Sequence, residues 1–374
     1  MRFADIPGQE ATKQRLRDMA DRGHIPHALL LEGPQGVGKF ALIRALAQYI
    51  HCTDRTPDGD SCGRCAACLQ HQSFNHIDVI YSFPVLKKNS KPTISDDYAD
   101  EFHDFMRECP VMDFEQWLPR LGNVNGQPVM YVDEANELLR RLNLKARQSR
   151  YKIVLMWLPE RLNTDTANKL LKLVEAPYDD TIFLMSSDNP RGILPTIYSR
   201  TQRISVPRYS EQEITATLMA ETGIDREAAA NAAALADGSM STAYQLAGLD
   251  KERQRYLDLF IQLMRLAWQR KVLELRAWSL DAAALGRESS IRFYDYCARM
   301  VRENFIYNIG DDRLVALTQA ERQFSSKFSP FINERNVEDI ASTLDAARND
   351  TAQNGNAKII AFDLAVKIIL LLRR

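Results

Sequence analysis

Gly33-Pro34-Gln35-Gly36-Val37-Gly38-Lys39-Phe40 reads as a phosphate-binding loop in all but its last residue. The apolar run Ala28-Leu29-Leu30-Leu31 leads into it and Ala41 to Ala47 leaves it with a helical pattern, the strand-loop-helix context such a loop requires. Gly33, Gly36 and Gly38 let successive backbone N–H groups turn toward an anion, the helix start adds a positive dipole, and Lys39 reaches toward the outer phosphates. An active nucleotidase follows the lysine with Ser or Thr, whose hydroxyl ligates Mg²⁺; here the position is Phe40, which ligates nothing. The loop is kept and its metal ligand is lost.

Further along, Lys152-Ile153-Val154-Leu155-Met156 is a continuous apolar run suited to a buried parallel strand, and it ends in Trp157-Leu158-Pro159-Glu160. Where a nucleotidase places an Asp to hold Mg²⁺ and a Glu to polarise water, this chain offers Trp157 and Leu158. Val132-Asp133-Glu134 imitates such a strand end. Its surroundings, Val129, Val132, Leu138, Leu139 and Leu142 with Arg140, Arg141 and Lys145, instead fit a helix with an acidic start and a basic finish. Loss of oxygen ligands at two separate elements points to a site that no longer hydrolyses nucleotide.

Four of six cysteines fall close together, Cys52, Cys62, Cys65 and Cys68, spaced C-x9-C-x2-C-x2-C. Four thiolates at this spacing can close a tetrahedron around Zn²⁺, and four sulfur ligands leave no open position, so the ion would be structural. The competing reading is redox chemistry through Cys62-Gly63-Arg64-Cys65, which leaves two cysteines unexplained. His71 and His76 are spare ligands should one cysteine not serve. Cys109 and Cys297 stand alone, and each reads as a small buried hydrophobe.

At 374 residues the chain is too long for one core and suggests two or three domains. A content of 45% hydrophobic and 26% charged residues is that of an ordinary globular protein. A net charge of -1 with a pI near 6.6 argues against a chain that coats nucleic acid on its own, although a local basic face stays open. There is no run of about 18 apolar residues, and Met1 to Asp5 lacks the apolar core of a signal peptide. A cytoplasmic protein with no membrane partner is expected.

Around these motifs the chain alternates strands and helices. Glu10 to Ala20 reads as a polar helix, His27 as the start of the first strand and either a ligand or a satisfied structural group. Ile77 to Tyr81, Thr181 to Ser186 and Gln202 to Val206 read as further strands, Thr164 to Glu175 as a helix capped by Thr164 or Asn163. This is an α/β domain with a doubly wound parallel sheet. Residues 86–125 look like an insertion. It opens with a polar loop carrying Lys87, Lys88 and Lys91, open to DNA contact or plain solvation. Two short helices follow, rich in Phe102, Phe105, Phe114 and Trp117, then the turn Asn125-Gly126. Beyond Pro207 the pattern is helical to the end, and Lys358, Asp363 and Lys367 exclude a membrane span for the last helix, Ile359 to Leu372.

With these residues laid out, the chain resembles the clamp-loader subunits of the AAA+ class, and most closely the delta-prime family of bacterial DNA polymerase III. The resemblance is carried by His27 to Pro34 leading into the P-loop, by the four-cysteine module, and by Asn168-Lys169-Leu170-Leu171-Lys172-Leu173-Val174-Glu175-Ala176-Pro177. It continues through Ile197-Tyr198-Ser199-Arg200-Thr201, similar to the family's Ser-Arg-Cys motif with Thr201 in place of cysteine. The C-terminal part matches only by length and helical character. The resemblance implies that Arg200 is an arginine finger acting in trans on a neighbouring subunit's ATP; a lone surface salt bridge is the alternative. In the family an arginine after Gly-Ser-Met senses the subunit's own nucleotide, and here Ser241 replaces it.

The resemblance also implies the organisation: a P-loop AAA+ domain over residues 1–207 containing a zinc module (52–76) and the insertion, a helical lid (208–247) and an all-α collar for oligomerisation (248–374). The expected function is that of an ATPase-inactive subunit, not an enzyme on its own, in a holoenzyme with DNA polymerase activity. Its partners would be the gamma/tau motor subunits and the delta subunit, and through them a sliding clamp and primed DNA. Gly33, Gly36, Gly38 and Lys39 would bind ATP weakly or not at all. Two alternatives stay open: a gamma/tau-like motor ATPase with unusual metal ligation, and a zinc-dependent DNA-binding module on a P-loop scaffold.

Overall fold

Ala28–Glu32 forms β1, because four successive apolar residues bury both faces of a strand and only a covered parallel sheet offers that environment. In the computed structural model it is joined by β2 (Val79–Ser82), β3 (Lys152–Trp157), β4 (Thr181–Ser187) and β5 (Gln202–Ser205). The strand order is β2-β3-β4-β1-β5 and every pairing is parallel. The structure describes residues 1–87, 92–122, 126–178, 180–308 and 317–373. Lys88, Lys91 and Asn125 lie outside the described residues.

Alternation along the strands divides the core into two layers. Leu29, Leu31, Ile153, Leu155, Ile182 and Leu184 face one apolar cluster, and Ala28, Leu30, Val154, Met156, Phe183 and Met185 the other. The first layer is completed by α1 (Glu10–Asp21), α2 (Lys39–His51) and residues from α4 (Ala99–Glu108) and α5 (Phe114–Trp117). The short α3 (Ala66–Gln72) follows α2 and carries Cys68, with Cys65 as its N-cap, while α6 (Val132–Leu142), α7 (Thr164–Glu175) and α8 (Pro195–Tyr198) cover the second layer. Beyond β5 come α9 (Glu211–Thr222), α10 (Arg226–Leu235) and the first residues of α11 (Met240–Trp268).

Local chemistry explains most boundaries. Asn163, not Thr164, caps α7, its Oδ1 accepting from Thr166 N at 2.7 Å. Val132-Asp133-Glu134 is the first turn of α6 and Glu134 is buried, accepting from Ser95 N at 2.7 Å. The expected first strand starts one residue late: His27 is exposed and outside it, although its carbonyl accepts from Phe183 N at 2.7 Å. The second strand begins at Val79 because Asp78 turns its carboxylate to the amides of residues 147–149.

The chain divides into two compact units, Met1–Ala247 and Gly248–Arg374. The second is helical, with α12 (Val272–Ala283), α13 (Arg287–Tyr307), α14 (Gln319–Phe328), α15 (Val337–Ala352) and α16 (Ala357–Leu371). There α13 packs on α15 and α12 on α16, around Phe260, Phe293, Met300, Leu344 and Ile368. Cys297 is buried in this core, while Cys109, expected to be buried, is half-buried where α4 ends. Asp363 and Lys367 pair at 2.7 Å on the outer face of α16. Among the described residues no helix is long and apolar enough to cross a membrane.

Candidate functional site

The P-loop leaves the C-terminal end of β1 and delivers Lys39 to the first position of α2, with Gly38 in the left-handed region as its N-cap. Gly36 has φ +74°, and a Cβ there would collide with the hydroxyls of Ser239 and Ser241. That close approach is bonded: Met240 N and Ser241 N donate to Gly36 O at 2.9 and 3.4 Å. The start of α11 therefore sits directly on the loop, and the position of Ser241 does face it.

Lys39 is buried and fully engaged. Its ammonium lies 2.7 Å from Asp188 Oδ1, donates to Gly33 O at 2.9 Å and also donates to Pro34 O. Burial raises the Asp188 carboxyl above its ordinary value and the Lys39 charge pulls it back. Asp188 directly follows β4, and nothing in the local sequence marks it. Glu160 holds that same turn, accepting from Asp188 N at 2.8 Å and Asn189 N at 3.0 Å.

Phe40 and Trp157, the residues at the two positions where oxygen ligands were expected of a nucleotidase, meet one another. Phe40 and Trp157 are both buried, with ring centroids 6.2 Å apart. Residues of α4 and α5 join them: Phe102 lies 5.9 Å from Phe40 and 5.8 Å from Trp157, Phe105 lies 5.9 Å and Phe114 6.4 Å from Trp157. Leu158 is also buried, in a left-handed backbone conformation with φ 60°. Asp113, between α4 and α5, accepts from Gln35 Nε2 of the loop and from Ser241 Oγ at 3.3 Å.

Cys52, Cys62, Cys65 and Cys68 come together with their sulfurs within 4.8 Å of one another. Gly63, at φ +71°, lets the chain turn between Cys62 and Cys65. The Cys62 and Cys68 sulfurs are 3.9 Å apart, close to the edge of about 3.8 Å that metal–sulfur bonds near 2.3 Å give a tetrahedron. Backbone amides support them, with Cys62 N 3.3 Å from Cys52 Sγ and Cys65 N 3.3 Å from Cys62 Sγ. The four cysteines can bind a metal such as zinc.

His71 and His76 do not join the cysteines; they meet His51 in a second, buried group. His51 Nε2–H donates to the Tyr151 carbonyl at 2.9 Å, so His51 Nδ1 accepts from His71 Nε2 at 3.0 Å. His76 Nδ1 accepts from Asp78 N at 3.2 Å, and its ring stacks on His51 at 4.4 Å and 22°. In this arrangement two of the three imidazole lone pairs are engaged in hydrogen bonds and two of the rings are stacked. Burial accordingly lowers His51 to about 4 and His71 to about 2.

Arg200 lies on the turn between α8 and β5. Its Nε is 3.3 Å from Glu175 Oε2 and its Nη1 donates to Thr196 O at 2.9 Å, with a third of the side chain exposed. Because β5 runs parallel to β1, with Leu29 opposite Gln202 and Glu32 opposite Ser205, Arg200 stands ahead of the sheet and the P-loop beyond its other end.

The family model described as "DNA polymerase III, delta subunit" matches residues 8–210, more than half of the chain. The chain belongs to the DNA polymerase III delta-prime, clamp-loader family. Among relatives in this clamp-loader family, it is 29% identical over 258 residues to the delta-prime subunit of Pseudomonas aeruginosa, covering 68% of this chain and 65% of that one. It is also 29% identical over 199 residues to the gamma/tau subunit of Mycobacterium tuberculosis, covering 53% of this chain and 27% of that one. The chain thus spans less than two thirds of these relatives' lengths. A solved Thermotoga maritima structure, titled a DNA polymerase III gamma subunit-related protein, aligns over 96% of this chain and 99% of its own at 12% identity and a TM-score of 0.38.

Proposed function

We propose that this chain is the non-hydrolysing, delta-prime-like subunit of a clamp loader, which assembles with gamma/tau motor subunits and a delta subunit to place a sliding clamp on primed DNA. The observation that carries this reading is the contact of Phe40 with Trp157: the two positions that would supply oxygen to Mg²⁺ are instead two buried, touching rings. A site without metal ligands cannot neutralise the charge of a transferring phosphoryl group. Lys39 is retained as an internal strut, bonded to its own loop and to Asp188.

Arg200 supplies the second half of the reading. It stands at the opposite end of the sheet from its own P-loop, so a phosphate it meets belongs to a neighbouring subunit. Glu175 and Thr196 hold the guanidinium at the surface, and a pre-oriented guanidinium is what an arginine finger needs. The four cysteines would hold a structural Zn²⁺ that fixes α3 against the end of α2. The lid would be residues 208–247, and the helical unit Gly248–Arg374 would serve as the collar through which subunits associate.

Reconstitution tests this. Clamp loading by motor and delta subunits should require this chain, while the chain alone should turn over no ATP. Turnover by the chain alone that Lys39→Ala abolishes would make it a motor ATPase. Tight, salt-dependent DNA binding by the isolated chain would make it a DNA-binding module.

A further inference from the structure

The insertion is more than a surface elaboration, since its residues end at the phosphate-binding loop. Phe102, Phe105 and Trp117 are fully buried, and Phe102 stacks on Phe83 of the domain core at 3.6 Å and 7°. Trp117 Nε1 donates to Pro84 O at 2.8 Å, which fixes the far end of α5 to the segment after β2. Between these anchors, Met112 closes over the loop. The space bounded by Gly36, Gly38, Lys39, Met112, Trp157 and Asp188 has a volume of only ≈ 10 Å³. That holds about one water, whereas small-molecule sites run to hundreds of cubic ångströms. The adjoining groove of ≈ 460 Å³ is lined by Gln35, Phe114, Glu160, Arg161 and Asp188 and not by the loop glycines.

The polar contacts point the same way. Asp113 caps α5, accepting from Glu115 N at 2.8 Å, and its carboxylate bridges Gln35 of the loop and Ser241 of α11. A carboxylate on the chain thus makes the link between loop and lid that a bound anion could make. Being tethered, it loses no translational freedom when it binds, so a free anion competes at a disadvantage.

We propose that the segment Ala99 to Leu121 is a built-in occupant of the P-loop site, whose aromatic face fills the nucleotide position and whose Asp113 latches the lid to the loop in one nucleotide-independent arrangement. The inference deepens the non-hydrolysing reading and rests on it. Lys39 being taken up by Asp188 completes the closure, since the one cation of the loop is already neutralised. To admit a nucleotide the domain would have to expose Phe102, Phe105 and Trp117.

Backbone amide exchange on the full chain tests it, with millimolar Mg·ATP as the probe and ATP turnover read on the same samples. In wild type, exchange over Gly33 to Ala41 should not change with Mg·ATP. Asp113→Ala should speed exchange over Gln35 to Lys39 and Gly238 to Ala243 by about tenfold, with β4 unchanged as the control for an intact fold. Ser241→Ala leaves the cap of α5 in place and should have the same effect, which keeps the test decisive if Asp113→Ala does not fold. Protection of the wild-type loop by Mg·ATP would overturn the proposal, as would lid exchange that neither variant alters. Binding without turnover would sink the plug and leave the non-hydrolysing reading standing; turnover would sink both.

Discussion

Phe40 and Trp157 touch, with ring centroids 6.2 Å apart, although 116 intervening residues separate them. A metal site emptied of oxygen ligands would otherwise leave a polar hole. Phe40 and Trp157 are large, aromatic, buried and mutually packed, so on the proposed non-hydrolysing reading the place of the metal ligands is taken by core. Phe40→Ser, which restores the hydroxyl after Lys39, should therefore restore no ATP turnover. It should instead cost about 3–5 kcal/mol of stability, the range for truncating a buried aromatic, read as a lower denaturation midpoint. Gain of Lys39-dependent turnover would contradict this.

The cysteine cluster predicts a metal dependence that is structural. Purified protein should carry one zinc per chain, read by elemental analysis, and Cys65→Ser should lose it. Chelation should lower the melting temperature of the first unit without altering the circular dichroism of the helical second unit when that transition is followed separately. A chain that is equally stable with and without metal would return the cysteines to the redox reading.

Acid should act through Asp78. Its buried carboxylate accepts from the amides of Arg147, Gln148 and Ser149 at 2.8, 2.7 and 2.9 Å, tethering the turn before β3 to the start of β2. Burial raises this carboxyl, and the three amide bonds outweigh it, holding it below its ordinary value. The folded state thus binds the proton less readily than the unfolded chain. Its contribution is complete above the unfolded value near about 4 and is lost as pH falls through the lower folded value. Asp78→Ala should cost about 1–3 kcal/mol at neutral pH and flatten the acid limb of a stability-against-pH curve. An unchanged acid limb would remove Asp78 from the account.

What was legible in the sequence was what neighbours in sequence decide. Ala28 to Leu31 and Lys152 to Met156 are apolar on both faces, so they declare buried parallel strands. Cys62, Cys65 and Cys68 sit at ligand spacing along a few turns of chain, and the glycines of the loop mark its turns. What was not legible depends on long-range packing. Phe102 and Trp117 read only as aromatics on two short helices, and only folding brings α4 and α5 onto Phe40 and Trp157. Asp113 was one acid among many until Gln35 and Ser241 met it, and Asp188 carried no local signal. His71 and His76 had ligand character by type; their hydrogen bonds to His51 and Asp78 N assign them elsewhere.

Glu175 offers a control for the finger. Its pairing with Arg200 is a surface contact, so Glu175→Ala should change stability by less than about 0.5 kcal/mol. It leaves Thr196 O holding the guanidinium, so partner turnover should fall far less than with loss of Arg200 itself. Equal losses for the two variants would mean that the pair matters to the fold rather than to a neighbour's ATP.

The most direct measurement is ATP turnover by the gamma/tau motor subunits reconstituted with delta subunit, clamp, primed DNA and this chain, comparing wild type with Arg200→Ala while assembly is followed by gel filtration. If Arg200 acts in trans, the complex should stay intact while turnover at the site facing Arg200 falls by about a thousandfold, the scale on which a trans-acting arginine contributes to phosphoryl transfer. Turnover unchanged in an intact complex would contradict it.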